Sequence, residues 1–196
     1  MARGRWRSKR VLIPIAAIVA VIVLFAVAVT AGFIVLGRAA GGSSMSPTIP
    51  ACDGRWLAEG LTYRFRDPHR GEIVVIHASG QVGGSVAPDP NARDLNLGKR
   101  VIGIPGDTVV GRDGRVFVNG TKADDIATDP FPRTRLAADE YFVLGDNRSF
   151  SQDSRAFGPV PRDAIFGRVV LNYWPLGRFG VPGYDKELVP PGDLCS

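Results

Sequence analysis

Arg100-Val101-Ile102-Gly103-Ile104-Pro105-Gly106-Asp107-Thr108-Val109-Val110 decides the fold class. A short β-branched run is halted by Pro-Gly-Asp and restarts at once, which is the grammar of strand, turn, strand. The same pattern continues on both sides. Downstream, Arg115-Val116-Phe117-Val118 follows Arg112-Asp113-Gly114, so residues 110–118 read as a hairpin turning at Asp113-Gly114. Asn119-Gly120 marks another turn, Tyr141-Phe142-Val143-Leu144 another strand, and Ile165 to Leu171 a late one. Upstream lies Glu72-Ile73-Val74-Val75-Ile76. No stretch after position 40 holds a long helical period. Many short strands separated by Gly and Pro predict a mainly β domain, an all-β barrel or a pair of packed sheets.

The N-terminal part is different. Val11 to Gly37 is an uncharged apolar run of 27 residues. As a helix it would reach about 40 Å, more than the ~30 Å hydrocarbon layer, so it reads as an anchor rather than as the shorter apolar region of a cleaved leader. Arg3, Arg5, Arg7, Lys9 and Arg10 precede it and only Arg38 follows closely, which places the N-terminus in the cytoplasm and the β domain outside. The expected organisation is therefore a basic tail at 1–10, a transmembrane helix at 11–37, a β domain at 38–180 with a Gly/Pro-rich surface loop at 79–98, and a Pro/Gly-rich tail at 181–196.

The net charge of +5 misleads. Five of the 24 basic residues lie in the first ten positions, and the first acidic residue is Asp53, so the remainder is formally neutral. A nucleic-acid partner is not expected, because it calls for a basic patch on the folded domain; membrane lipid suits the basic tail. Cys52 and Cys195 both lie outside the membrane in this topology, where either a disulfide or two free thiols is compatible with the spacing. With two histidines, His69 and His77, and no Cys-x-x-Cys pair, no metal site is expected.

For chemistry, neither histidine stands in a recognisable catalytic context. A serine can instead be activated by a neutral lysine, provided that burial strips the proton from an amine whose ordinary pKa is about 10.4. Of four lysines, Lys9 lies across the membrane, Lys122 in a polar turn and Lys186 in the tail. Lys99 abuts Val101-Ile102-Gly103-Ile104, a strand able to bury its stem. On the residues alone Lys99 stands between a base and a surface lysine at a strand start, and Ser44 between a nucleophile and a linker serine.

Four boxes in order carry a resemblance: Ser44-Met45-Ser46-Pro47-Thr48; Arg70-Gly71-Glu72-Ile73-Val74-Val75; Lys99 to Asp107; and Gly145-Asp146-Asn147-Arg148 running on to Ser151-Gln152-Asp153-Ser154-Arg155. Behind a membrane anchor they resemble bacterial type I signal peptidases over the span from the anchor to about Gly180. The resemblance implies a signal-peptidase-type β domain and a serine endopeptidase that removes signal peptides through a Ser/Lys dyad and an acyl-enzyme, without cofactor. Ser44 matches the nucleophile, Lys99 the general base and Met45 a residue shaping the substrate site. Ser151 matches the serine that orients the lysine, Asp153 and Arg155 a structural ion pair, and Asp146 and Arg148 further supporting residues. The implied partners are signal peptides with small residues at −1 and −3. Better-known members carry a hydroxyl residue two places before the nucleophile; here Gly42 stands there, leaving Ser43 as a candidate oxyanion donor. A lysine rather than a histidine base indicates the prokaryotic branch. Two other classes share parts of this pattern: self-cleaving repressors, which have the dyad but carry a DNA-binding domain, and a non-enzymatic membrane-tethered β domain.

Overall fold

A computed structural model describes residues 4–30, 34–38, 43–51, 53–77 and 96–183. Helix α1 spans Gly4–Thr30. Its exposed residues include Val21, Ile22, Val23 and Leu24 in succession, which at ~100° per residue cover all sides of the helix. The helix has the same 27 residues' length as the expected span but lies seven residues earlier, ending at Thr30 rather than Gly37. Ile34–Arg38 instead forms strand β1, whose backbone groups are satisfied by a second strand, β2, at Arg55–Glu59. Hydropathy alone could not separate a helix end from a buried strand. The side chains of α1 are described from Pro14 to Val29, about 24 Å of rise. Among the described residues no helix is long and apolar enough to cross a membrane.

Among the described residues the β domain has nine further strands: β3 Ile73–His77, β4 Asn96–Gly103, β5 Thr108–Arg112, β6 Arg115–Val118, β7 Thr121–Lys122, β8 Phe131–Arg135, β9 Glu140–Leu144, β10 Val160–Pro161 and β11 Ile165–Trp174. They form a seven-stranded sheet in the order β1-β2-β11-β3-β4-β9-β10 and a four-stranded sheet in the order β7-β6-β5-β8, all antiparallel. Neither sheet closes, so of the two expected forms the paired sheets are found and the barrel is not. The chain enters the small sheet through Pro105-Gly106-Asp107, where Asp107 caps the turn by accepting the Ile104 N–H, and Gly106 takes the positive φ of 83° that the turn needs. The Asp113-Gly114 turn joins β5 to β6 with both residues at positive φ, as a two-residue hairpin requires.

Strand alternation divides the core. Val74, Val101 and Val143 face one side of the large sheet, covered by Tyr63, Phe157 and Val160. Ile73 and Val75 face the other, under Met45, Ile49 and Trp56. Ile102, Phe142 and Leu144 meet Val109, Val116 and Phe131 of the small sheet. A short helix, α2 (Ser154–Phe157), is N-capped by Asp153, which accepts from the Arg155 N–H.

Three expected boundaries shift. The β domain begins at Ile34 rather than at residue 38. Asn96 to Gly98, assigned to the surface loop, belong to β4, while residues 78–95 lie outside the described residues. The C-terminal tail makes contact with the domain at least as far as Gly183, whose carbonyl accepts from Arg100. Cys52, Cys195 and Gly42 lie outside the described residues.

Candidate active site

One register row crosses five strands of the large sheet: Ile34 on β1, Glu59 on β2, Arg168 on β11, Val74 on β3 and Lys99 on β4. Lys99 therefore stands level with the first residue of the strand that follows α1. Its cross-strand partner Val74 and its same-face neighbour Val101 are both fully buried, and Lys99 itself is 2% exposed. Burial pushes its amine down to about 8; Asp153 and Asp146 pull the other way, and the Arg155 guanidinium adds to the depression. An ammonium group in such surroundings loses its hydration with no carboxylate of the described residues in an ion pair with it, so the neutral form gains.

Ser44 opens a turn at 44–48 closed by hydrogen bonds from the Ser46 N–H to the Ser43 carbonyl and from the Ile49 N–H to the Met45 carbonyl. Several contacts bring this turn to the lysine strand. The Asn147 N–H donates to the Ser44 carbonyl at 3.0 Å. Met45 is buried and lies against Gly98. Arg100 pairs with Leu144, so Gly145 is the next residue along β9 and falls opposite Lys99. A Cβ at Gly145 would stand 2.2 Å from Ser151 Oγ and 2.4 Å from the Ser44 carbonyl oxygen, so three segments converge where only glycine fits.

The supporting charges sort into three separate pairs. Asp153 is fully buried and accepts from Arg155 Nε at 2.8 Å and from the Gly145 N–H at 3.0 Å, as the anticipated ion pair. Asp146 pairs with Arg100: Arg100 Nε donates to Oδ1 at 2.7 Å and an Nη to Oδ2 at 2.6 Å. Thr48 Oγ1 also donates to Asp146 Oδ2, at 2.6 Å. Arg148 donates to Asp124 and, through Nε, to the Gly145 carbonyl. Arg155 further donates to the carbonyls of Arg148 and Ser151, holding the box as one rigid piece. Ser151 Oγ is buried and has no hydrogen-bond partner among the described residues, so the expected bond to the lysine amine is not made here. Ser43 is half-buried and engages the turn through its carbonyl. His69 lies before β3, its main-chain N–H donating to Glu72. Arg100, Thr48, Asp124 and Asn172 are parts of the site that the sequence reading missed. A cavity of about 520 Å³ lined by Arg70, Ile102, Asn119 and Lys122 includes neither Ser44 nor Lys99.

With this geometry in place, comparison with known proteins is decisive. A family profile described as signal peptidase, peptidase S26, matches residues 12–174. The chain belongs to the signal peptidase family, peptidase S26. The peptidase is 39% identical over 160 residues to a probable signal peptidase I-2 of Synechocystis, covering 79% of this chain and 70% of that protein. It is 37% identical over 164 residues to signal peptidase I of Leptolyngbya laminosa (81% and 75%). Signal peptidase IB of Staphylococcus aureus is 34% identical over 185 residues (82% and 87%). A solved signal peptidase I from Enterococcus faecalis is 28% identical with a TM-score of 0.40, covering 53% of this chain and 97% of that one. The peptidase is thus a hydrolase of the signal peptidase I type that removes signal peptides.

Proposed function

We propose that Ser44 is the nucleophile and Lys99 the general base of this reaction. The observation that carries the reading is the buried amine of Lys99, held near pKa 8 on a strand whose neighbour, Arg100, is bridged through Asp146 to the Ser44 turn. The neutral amine takes the Ser44 Oγ proton as Oγ bonds to the substrate carbonyl carbon. The C–N bond then breaks, the lysine proton passes to the departing amine, and the exported protein leaves with a new N-terminus. Water next adds to the ester carbon while Lys99 takes its proton. The ester C–O bond breaks, Ser44 regains a proton, and the signal peptide leaves as a carboxylic acid that ionises. With glycine at position 42, the oxyanion donors are the Ser44 N–H and the Ser43 hydroxyl. Ser151 orients the amine once substrate closes the site; Asp153, Arg155, Asp146 and Arg148 hold the frame.

The substrate adds as a strand. Asn96 to Lys99 pair with β3 on one side, while the β9 ladder on the other side starts only at Arg100. Among the described residues no strand pairs with Asn96 to Gly98 on that side, an edge beside the base for main-chain hydrogen bonding. Met45 against Gly98 forms part of a shallow floor suited to small residues at −1 and −3. The helix α1 is a single-pass anchor with its basic end in the cytoplasm: apolar side chains exposed on all sides need a covering, and lipid supplies it. The shared row of Ile34 and Lys99 sets the dyad level with the anchor's exit, about 19 Å to the side at ~4.8 Å per strand.

The test is incubation of the detergent-solubilised chain with a preprotein. Wild type should cut once after a small-x-small sequence, and Ser44→Ala and Lys99→Ala should not cut. Cutting by Ser44→Ala at the same bond would refute the assignment.

A further inference from the structure

Asn172 is a polar residue where an apolar one would be expected. It lies in β11 after the inward-facing Ile165 and Val169, its cross-strand partner is the buried Trp56, and it is 4% exposed. A buried amide costs stability unless its groups are paired. Asn172 Nδ2 donates to the Thr48 carbonyl at 2.7 Å, while Oδ1 has no partner among the described residues. A carbonyl acceptor also fixes which way the amide points, since two oxygens at that separation would repel.

The main chain of Asn172 is paired as well. Its N–H donates to the Gly180 carbonyl at 2.8 Å, and the Gly180 N–H returns to the Asn172 carbonyl at 3.0 Å. Three residues on, the Gly183 carbonyl accepts from Arg100 at 3.3 Å. Arg100 holds Asp146, Asp146 holds the Thr48 hydroxyl, and the Thr48 carbonyl is held by Asn172. The links close into a ring running Asn172, Gly180, Gly183, Arg100, Asp146, Thr48 and back. It passes through the strand of Lys99 and the turn of Ser44. Residues 180–183 lie beyond the matched family region, which ends at 174.

We infer that Asn172 and the strap at residues 180–183 are positioning elements that hold the Ser44 turn at working distance from Lys99. The inference rests on the reading of Ser44 as nucleophile. A displacement near 1 Å can cost about 100-fold in rate even when the altered residue is far from the chemistry. Gly180 is the weak point of the strap. Its φ of 150° favours glycine, yet a Cβ there would meet nothing within 4 Å, so Gly180→Val strains the backbone without a clash.

The experiment uses the full chain in detergent. Asn172→Asp keeps the volume and exchanges the donor for an acceptor. It should lower kcat on a preprotein by about 10- to 100-fold with KM changed less than about 2-fold. Gly180→Val should act in the same direction. The double variant should fall short of the product of the two effects, because both break one ring. Hydrogen exchange at the Asn147 amide, which donates to the Ser44 carbonyl, should speed up in both variants. Unchanged kcat with only a lowered Tm, or fully multiplicative effects, would overturn the inference. Unchanged exchange at Asn147 would also overturn it, and that readout needs no activity. A Ser44→Ala control run beside them separates this outcome from failure of the nucleophile assignment.

Discussion

Lys99→Met should make the protein more stable at neutral pH while abolishing cleavage. The folded chain holds the Lys99 amine at about 8, chiefly through burial, against an ordinary value of 10.5. Between those two values the unfolded chain binds a proton that the folded chain does not, so stability rises with pH across that window. Below about pH 8 the folded state bears the whole penalty. At about 1.4 kcal/mol per factor of ten, the gap amounts to about 3 kcal/mol. Methionine has a similar length and shape, carries no charge and suits a pocket built from Val74, Val101 and Val143. Urea unfolding of the purified full chain at pH 7 should therefore show Lys99→Met ahead by an amount on the order of 1–3 kcal/mol. The advantage should shrink toward zero by about pH 10.5, where the unfolded wild type is losing the proton that the folded state has already lost. No gain at pH 7 would refute the argument that Lys99 is buried against its preferred charge state. An equal gain at both pH values would also refute it, assigning the effect to packing instead.

Gly145→Ala should cut kcat by about 100-fold or more, since its Cβ would displace both Ser151 and the Ser44 carbonyl; a variant with wild-type kcat would contradict the convergence of those segments. Burial pushes the Glu72 carboxyl up, but Arg66, the His69 N–H and the Tyr63 hydroxyl outweigh it and hold Glu72 at about 2. Its depressed pKa stabilises the fold above the ordinary carboxylate range, and that stability is lost as pH falls toward about 2. Glu72→Gln should accordingly cost about 1–3 kcal/mol at pH 7, measured by urea unfolding, with the deficit vanishing near pH 2.

Much of the large sheet is legible in the chain. β3, β4, β9 and most of β11 are β-branched runs bounded by Gly, Pro or Asp, and Asp113-Gly114 announces its hairpin. β2 is not legible, because Arg55-Trp56-Leu57-Ala58-Glu59 mixes helix formers with a single aromatic, and pairing with β1 and β11 overrides that propensity. β8 contains Pro132, which argues against a strand; it survives because it lies at the edge of its sheet. Ser44 and Lys99 could be named because each sits in a recognisable box. The row that sets Lys99 level with Ile34 could not, since it depends on pairings between residues as far apart as Glu59 and Arg168. Arg100 and Asp146 were both in view, but nothing in their spacing of 46 says that they meet. Asn172 did leave a signal: a lone amide in Val169-Val170-Leu171-Asn172-Tyr173-Trp174 needs a partner if the run is buried.

The central claim is that Ser44 attacks with a neutral Lys99 as its base. The direct measurement is the rate of acylation of Ser44 by a preprotein, quenched in acid and located by peptide mass mapping, at intervals from pH 5 to pH 10. The account predicts a signal-peptide ester on Ser44 whose rate of formation rises about tenfold per pH unit and levels off near the Lys99 pKa of about 8. A rate that stays flat from pH 5 to pH 7, or an adduct on any other residue, would contradict it.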